Sequence, residues 1–295
     1  INAIGFYTRS LAMNADSLWN DIESIRRTAP LVHNITNYVV MNSTANALLA
    51  LGASPIMAHA LEEMESMTAI SGALVINIGT LSKPWIESMH AAASFAARRG
   101  LPVILDPVGA GASALRTDTA RALLQSGAVR IVRGNASEIA ATAGQQAQGK
   151  GVDSLMDPEA AAGAAREISR QFKVVLSVSG PVDLITDGTR VVRVANGHPL
   201  MTRVTGLGCT ASALTGAFAA VNPDPLAAAA HAMATMGIAG EIAAAQSAGP
   251  GSLQLHFIDA LYQLDYATIA RHLRSTEAGP PDSGIGRSTW WWNAA

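Results

Sequence analysis

Ala73-Leu74-Val75-Ile76-Asn77-Ile78-Gly79 decides the fold. The run is apolar almost throughout, without the polar alternation of a strand that has one wet face. It reads as a strand covered on both sides, as in parallel sheets whose crossover helices lie on both faces. A helix follows over 84–99, opened by Pro84, a favourable first-turn residue, and stopped by Gly100. The same unit then repeats. Pro102-Val103-Ile104-Leu105-Asp106-Pro107 is a strand running into the small-residue loop 108–112, and a helix covers 114–126. Val129-Arg130-Ile131-Val132-Arg133 is the next strand, and Asn135-Ala136-Ser137-Glu138 opens a short helix.

Upstream, Leu18, Ile22 and Ile25 fall at helical spacing within 16–28. A short strand at 31–36, a helix at 43–51 and a strand at 54–57 complete that side. Downstream come a polar, Gly-rich loop (144–157), a helix (158–172), a strand (174–180) and a hairpin over 184–194 turning at Asp187-Gly188. Helices run on to about residue 273. The chain is therefore expected to be α/β, a central mostly parallel sheet with helices on both faces and an antiparallel hairpin late in the sequence. One domain is expected over 13–275, with 1–12 and 278–295 read as tails or non-native additions.

Composition narrows the function. Of 295 residues, 49% are hydrophobic and 14% charged, enough apolar material for a large core. The net charge is −2 with no basic run, which argues against nucleic acid. The apolar stretch 225–245 is interrupted by His231 and Glu241 and reads as a buried helix, so no membrane is expected. A single cysteine and no recognisable leader fit a reducing, cytoplasmic setting.

In open parallel sheets, ligands bind at the carboxyl ends of the strands. That rule selects Asn77-Ile78-Gly79-Thr80, Asp106-Pro107, Arg133-Gly134-Asn135, Ser179-Gly180 and Val204-Thr205-Gly206-Leu207-Gly208-Cys209-Thr210. In the last of these, two glycines and the only cysteine stand at the start of an Ala-rich helix. Such an N-terminus is an anion cradle, and a thiol there is expected to be more acidic than a free one. Asp106 and Glu138 are two carboxylates with the open geometry Mg²⁺ prefers, or alternatively a helix cap and its capping-box partner. Arg133 is a candidate phosphate contact.

Four other patterns do not hold. The G-x-G-x-x-A match at 206–211 lies after a hairpin, with no acidic strand end about 20 residues on. The P-loop-like stretch 144–151 ends in Gly151 where Ser or Thr would hold Mg²⁺. The seven histidines do not cluster as zinc ligands, and no G-x-S-x-G elbow is present.

Taken together, the segments Leu31-Val32-His33-Asn34-Ile35-Thr36-Asn37, Leu51-Gly52-Ala53-Ser54-Pro55-Ile56-Met57, Asn77-Ile78-Gly79-Thr80-Leu81, Ile104 to Gly111, Arg133-Gly134-Asn135-Ala136-Ser137-Glu138 and Val204 to Leu214 carry a resemblance. The chain resembles the hydroxyethylthiazole kinases, thiamine-salvage enzymes of the ribokinase-like superfamily, from about residue 16 to 273. The resemblance implies ATP- and Mg²⁺-dependent phosphorylation of the primary hydroxyl of 4-methyl-5-(2-hydroxyethyl)thiazole by a homotrimer whose thiazole site lies at a subunit boundary. It implies Met57 and Gly206 as thiazole contacts, Arg133 and Ser179 as ATP contacts, and Asp106 and Glu138 near metal and phosphates. Gly206 and Gly208 would hold the transferring phosphoryl. Cys209 stands where most of the superfamily has an aspartate base. The nearest rival, a kinase of hydroxymethylpyrimidine or pyridoxal type, usually keeps that aspartate.

Overall fold

The computed structural model describes residues 13–144 and 158–278. Helix α1 (Ala15–Thr28) leads into β1 (Leu31–Ile35), α2 (Met41–Leu51) and β2 (Ser54–Ile56). A 3₁₀ turn (Leu61–Glu63) and α3 (Met64–Ile70) precede β3 (Ala73–Asn77), α4 (Lys83–Arg99), β4 (Val103–Asp106), α5 (Ala114–Gln125), β5 (Ile131–Asn135) and α6 (Ala136–Thr142). After α7 (Pro158–Phe172) come β6 (Val175–Ser179), β7 (Asp183–Thr186) and β8 (Val191–Val194). A second 3₁₀ segment (Pro199–Arg203) leads to α8 (Leu207–Val221), α9 (Pro225–Ala245), α10 (Pro250–Gln263), α11 (Tyr266–His272) and β9 (Ser275–Ala278).

The strands form one sheet of order β2-β1-β3-β4-β5-β6-β7-β8-β9. From β2 to β6 all pairs are parallel, and β7, β8 and β9 are added antiparallel. Side chains alternate across a strand, so each face takes every second residue. Val75, Ile104 and Ile131 pack into the layer that holds α1, α2, α8, α9 and α10. Leu74, Ile76, Leu105 and Val132 pack into the layer with α4 and α5. Two covered faces are why the opening strand carries no polar alternation.

The structure departs from the sequence expectation in places. Helix α3 was not anticipated: of its seven residues only Met64 and Thr68 are buried, too little for a periodic signal. Ser275–Ala278 pairs with β8 as a ninth strand, reaching past residue 275. Its sequence, Ser-Thr-Glu-Ala, has none of the apolar content of a central strand, as befits an edge. The loop read over 144–157 falls, apart from Gly144, outside the described residues, as do 1–12 and 279–295. Helix α9, long and apolar enough to span a membrane, is mostly buried inside the fold.

Helix α8 lies unusually close to the sheet because Gly216 faces it. A Cβ there would come within 2.6 Å of Val75 Cγ2 and 3.0 Å of Val32 Cγ1. Gly216→Leu should therefore cost about 3 kcal/mol of stability, at the upper end of overpacking penalties and outweighing any gain in helix propensity. Urea unfolding read by circular dichroism measures it.

Candidate active site

The carboxyl ends of β1, β3 and β4 are joined by buried side-chain hydrogen bonds. Asp106 closes β4, is 1% exposed, and pairs in register with Asn77, the last residue of β3. Asn77 Nδ2 donates to Asp106 Oδ2 at 2.7 Å, and Ser212 Oγ of α8 donates to the same oxygen at 2.8 Å. Asn37, just after β1, donates from Nδ2 to Asn77 Oδ1 at 2.8 Å and toward Cys209 Sγ at 3.5 Å. Burial is the main cause that raises the Asp106 carboxyl from 3.8 to about 6, with nearby Glu138 adding to it. The Arg133 guanidinium and the two donors oppose the shift.

Helix α8 begins against this network. Its N-cap is Gly206 at φ 85°, a left-handed conformation; a Cβ there would also meet Val40 Cγ1 at 2.6 Å. Gly208 and Cys209 lie inside the first turn rather than ahead of it. A Cβ on Gly208 would meet Arg133 Nη1 at 2.7 Å, so glycine there admits the guanidinium to the helix N-terminus. No side chain caps this end. Its N–H groups and dipole therefore favour an anion in front of them.

One expectation is reversed. Cys209 was expected to be an acidic thiol, but its pKa is raised from 9.0 to about 11. Burial dominates and the Asp106 charge adds to it, outweighing Asn77, Asn37 and Arg133. A helix N-terminus and a nearby cation favour a thiolate, but burial and the Asp106 charge outweigh that here. At neutral pH Cys209 is a thiol.

Arg133 is 9% exposed, and its Nε has no hydrogen-bond partner among the described residues. It faces Asp106, Cys209 and Asp183 electrostatically. A buried cation with an unsatisfied donor beside a helix N-terminus suits a polyanion. Glu138 forms the capping box of α6: its Oε2 accepts from Asn135 N at 3.0 Å, while Asn135 Oδ1 accepts from Glu138 N. Its Oε1 accepts from Gly109 N at 2.8 Å, which ties the loop after β4 to α6. Ser179 ends β6 opposite Asn135 and donates to Gly134 O at 3.3 Å. Arg133 thus touches Gly208 and acts electrostatically on Asp106 and Cys209, which are linked through Asn77 and Asn37, with Glu138 in the first turn of α6 and Ser179 at the end of β6.

Met57 stands apart. It follows edge strand β2, three positions from β4 in the sheet and so about 14 Å away at normal strand spacing. The sequence reading singled out neither Ser212 nor Asp183. Ser212 is four residues after Gly208 and so on the same helix face. Asp183 is 7% exposed, accepts from Gly180 N at 3.1 Å, and is raised to about 6, mainly by burial.

The donor set can be tested against Mg²⁺. Among the described residues no three His, Cys, Asp or Glu side chains converge on one point. Two carboxylates of hard oxygen are available, with Asp106 and Glu138 close enough to interact. Mg²⁺ that keeps waters and shares phosphate oxygens needs no more from the protein. The residues present fit it.

These features make an anion-favouring candidate site at the carboxyl edge of a parallel α/β sheet. The fold is ribokinase-like. Pyridoxal kinase from Staphylococcus aureus, in complex with AMP-PCP and pyridoxal, superposes with a TM-score of 0.60 at 16% identity, covering 85% of this chain and all of that one. The Hydroxyethylthiazole kinase family model matches residues 22–267. Hydroxyethylthiazole kinase of Syntrophus aciditrophicus is 57% identical over 265 residues, 90% of this chain and 98% of that protein. That of Nitratidesulfovibrio vulgaris (Miyazaki F) is 56% identical over 261 residues, covering 88% and 98%. The solved structure of the hydroxyethylthiazole kinase protein from Pyrococcus horikoshii superposes with a TM-score of 0.83 at 43% identity, covering 89% and 99%. The chain belongs to the hydroxyethylthiazole kinase family.

Two measurements check the electrostatics. A group whose folded pKa lies above its unfolded value loses stability as pH rises from the unfolded value to the folded one. For Asp106 that window is 3.8 to about 6. Asp106→Asn keeps an oxygen for Asn77 and Ser212 without the buried charge. It should raise stability at pH 7.5 by up to about 3 kcal/mol and flatten the pH dependence of the melting temperature in that window. The Cys209 thiol should alkylate slowly with iodoacetamide at pH 8, with the rate still rising above pH 10, as mass spectrometry against free cysteine would show.

Proposed function

We propose that this protein transfers the γ-phosphoryl of ATP to the primary hydroxyl of 4-methyl-5-(2-hydroxyethyl)thiazole, giving the thiazole phosphate used in thiamine salvage. One observation carries the reading in a chain of this family. The uncapped N-terminus of α8, the buried Arg133 and the buried Asp106 converge at the carboxyl edge of the sheet.

Phosphoryl transfer depends on positioning and charge stabilisation more than on covalent chemistry by the protein. The backbone N–H groups from Gly206 to Cys209 would hold the transferring phosphoryl. Arg133 would offset nucleotide phosphate charge from the sheet side, with Ser179 opposite Asn135 at the end of the neighbouring strand. Asp106 and Glu138 would hold Mg²⁺ together with waters and phosphate oxygens; the ion, when bound, neutralises phosphate charge. Gly206, which lacks a Cβ and so lets Val40 pack against the turn, would contact the thiazole through its backbone, and Met57 would contact the sulfur ring.

The separation of Met57 from this cluster favours a thiazole site completed by a second subunit. Tyr38 and Val39, directly after Asn37, are each 65% exposed, which is unusual for large apolar groups beside a reaction site. A homotrimer with the site at each boundary accounts for both facts, and light scattering should give three times the chain mass.

Cys209, a neutral thiol held by Asn37, would sit beside the acceptor hydroxyl rather than act as a base. A loose transition state asks little of a base. Cys209→Ser should keep ATP affinity and lose less than about tenfold in kcat; a loss of 10³ or more would restore the base role. The activity itself is tested by incubating the protein with ATP, Mg²⁺ and hydroxyethylthiazole and looking for the phosphate ester by mass spectrometry. Absence of ester with ATP binding intact would overturn the reading.

A further inference from the structure

We propose that a second cavity, at the opposite edge of the sheet from the reaction site, binds a small organic cation: a protonated amine with an apolar body. The cavity is about 250 Å³ and lies between α1, α9 and β8. Val221 and Asn222, at the far end of α8, help line it, which places it roughly 20 Å from the N-terminus of that helix. Its volume is about that of eight water molecules at about 30 Å³ each, too small for a nucleotide but ample for a compact amine.

The wall chemistry selects the ligand. Val192, Val221, Leu226 and Ala230 supply an apolar side. Asp21, Asp224 and Glu277 place three carboxylates around it, and Arg190 is the guanidinium among them. Arg190 is already committed, with Nε to Asp187 Oδ2 at 2.7 Å and both terminal nitrogens to the Asp224 carboxylate at 2.8 and 3.1 Å. It has little left for an anionic ligand.

His231 is 2% exposed and held at both ring nitrogens, by Asp21 Oδ2 at 2.6 Å and Ser17 Oγ at 3.2 Å. It therefore fixes Asp21 in place and is not free to meet a ligand. Asn222 Nδ2 donates to the same Asp21 oxygen at 2.7 Å. Glu277 Oε2 accepts from Met13 N at 3.3 Å. Even with His231 protonated, the lining carboxylates outnumber the cations.

A bare metal ion does not fit, because among the described residues no three of these groups converge on one point. A ligand that spreads one positive charge toward separated carboxylates and lays a hydrocarbon body on the valine and leucine wall does fit. The assignment is independent of the proposed kinase activity, since none of these residues belongs to the reaction site.

Isothermal titration of the full chain with phenethylamine, 2-phenylethanol and phenylacetate tests it. The three probes share a body and differ in charge. Phenethylamine should bind saturably and at least about tenfold more tightly than the alcohol, with phenylacetate weaker still. Glu277→Gln and Asp21→Asn should each weaken the amine several-fold, and Ala227→Phe, which fills the cavity from its lining, should abolish binding. Circular dichroism and unchanged kinase turnover establish that each variant is folded. Absence of saturable amine binding, equal binding of the alcohol or phenylacetate, or undiminished amine binding to folded Ala227→Phe would each overturn the proposal.

Discussion

A carboxylate buried at the end of a central strand sets the terms for the rest of the molecule. Asp106 cannot be left unpaired at 1% exposure, because a desolvated charge without donors is among the costliest groups a protein can hold. Its two donors come from different elements, Asn77 from β3 and Ser212 from α8. The constraint therefore fixes more than a side chain. It sets the height of α8 above the sheet and, through the first turn of α8, the place of its free N-terminus. Gly208 and Gly216 follow from the same closeness, one admitting Arg133 and the other Val75 and Val32. The network stays strained by charge even so, as the raised carboxyl shows.

Most of the framework was legible in the sequence because two-face burial writes itself as continuous apolar runs. The parallel strands and the helices between them lie within a few residues of expectation, and the Asp187-Gly188 hairpin turns where it was read. Elements without such a run were not legible. Helix α3 buries two side chains, and β9 buries none fully, so both exist only by packing and pairing with elements distant in sequence. Strand order is likewise silent locally. Nothing in Ser54-Pro55-Ile56 announces that it takes the edge beyond β1 while β3 takes the other side.

Around the candidate site, the ends of β4 and β6 were legible, Arg133 falls in the middle of β5 rather than at its end, and electrostatic state was not legible. The strand-end rule selected Asp106, Arg133, Ser179 and the start of α8 from residue type alone. It could not say that Cys209 would be closed in beside a second negative charge, which turns the expected acidic thiol into a weak acid. Nor could it decide between two readings of Glu138. The capping box is formed, and the second carboxylate oxygen reaches the loop after β4. A residue can serve both the helix end and the ligand, because a carboxylate with one donor on each oxygen still has lone pairs to offer.

The packing of α8 shows why a helix rich in Ala, with Gly208 and Gly216, belongs there. Large residues would hold the helix off the sheet, Ser212 would no longer reach Asp106, and the N–H groups of the first turn would sit above the plane of the strand ends. Small residues remove the distance but weaken the hydrophobic grip per turn. That loss is made up by burying ten of the fifteen residues of α8 and sandwiching it between the sheet, α1, α2 and α9. The abundance of alanine across α8 and α9, which looks featureless as sequence, is thus the packing condition for a helix end brought into register with a sheet edge.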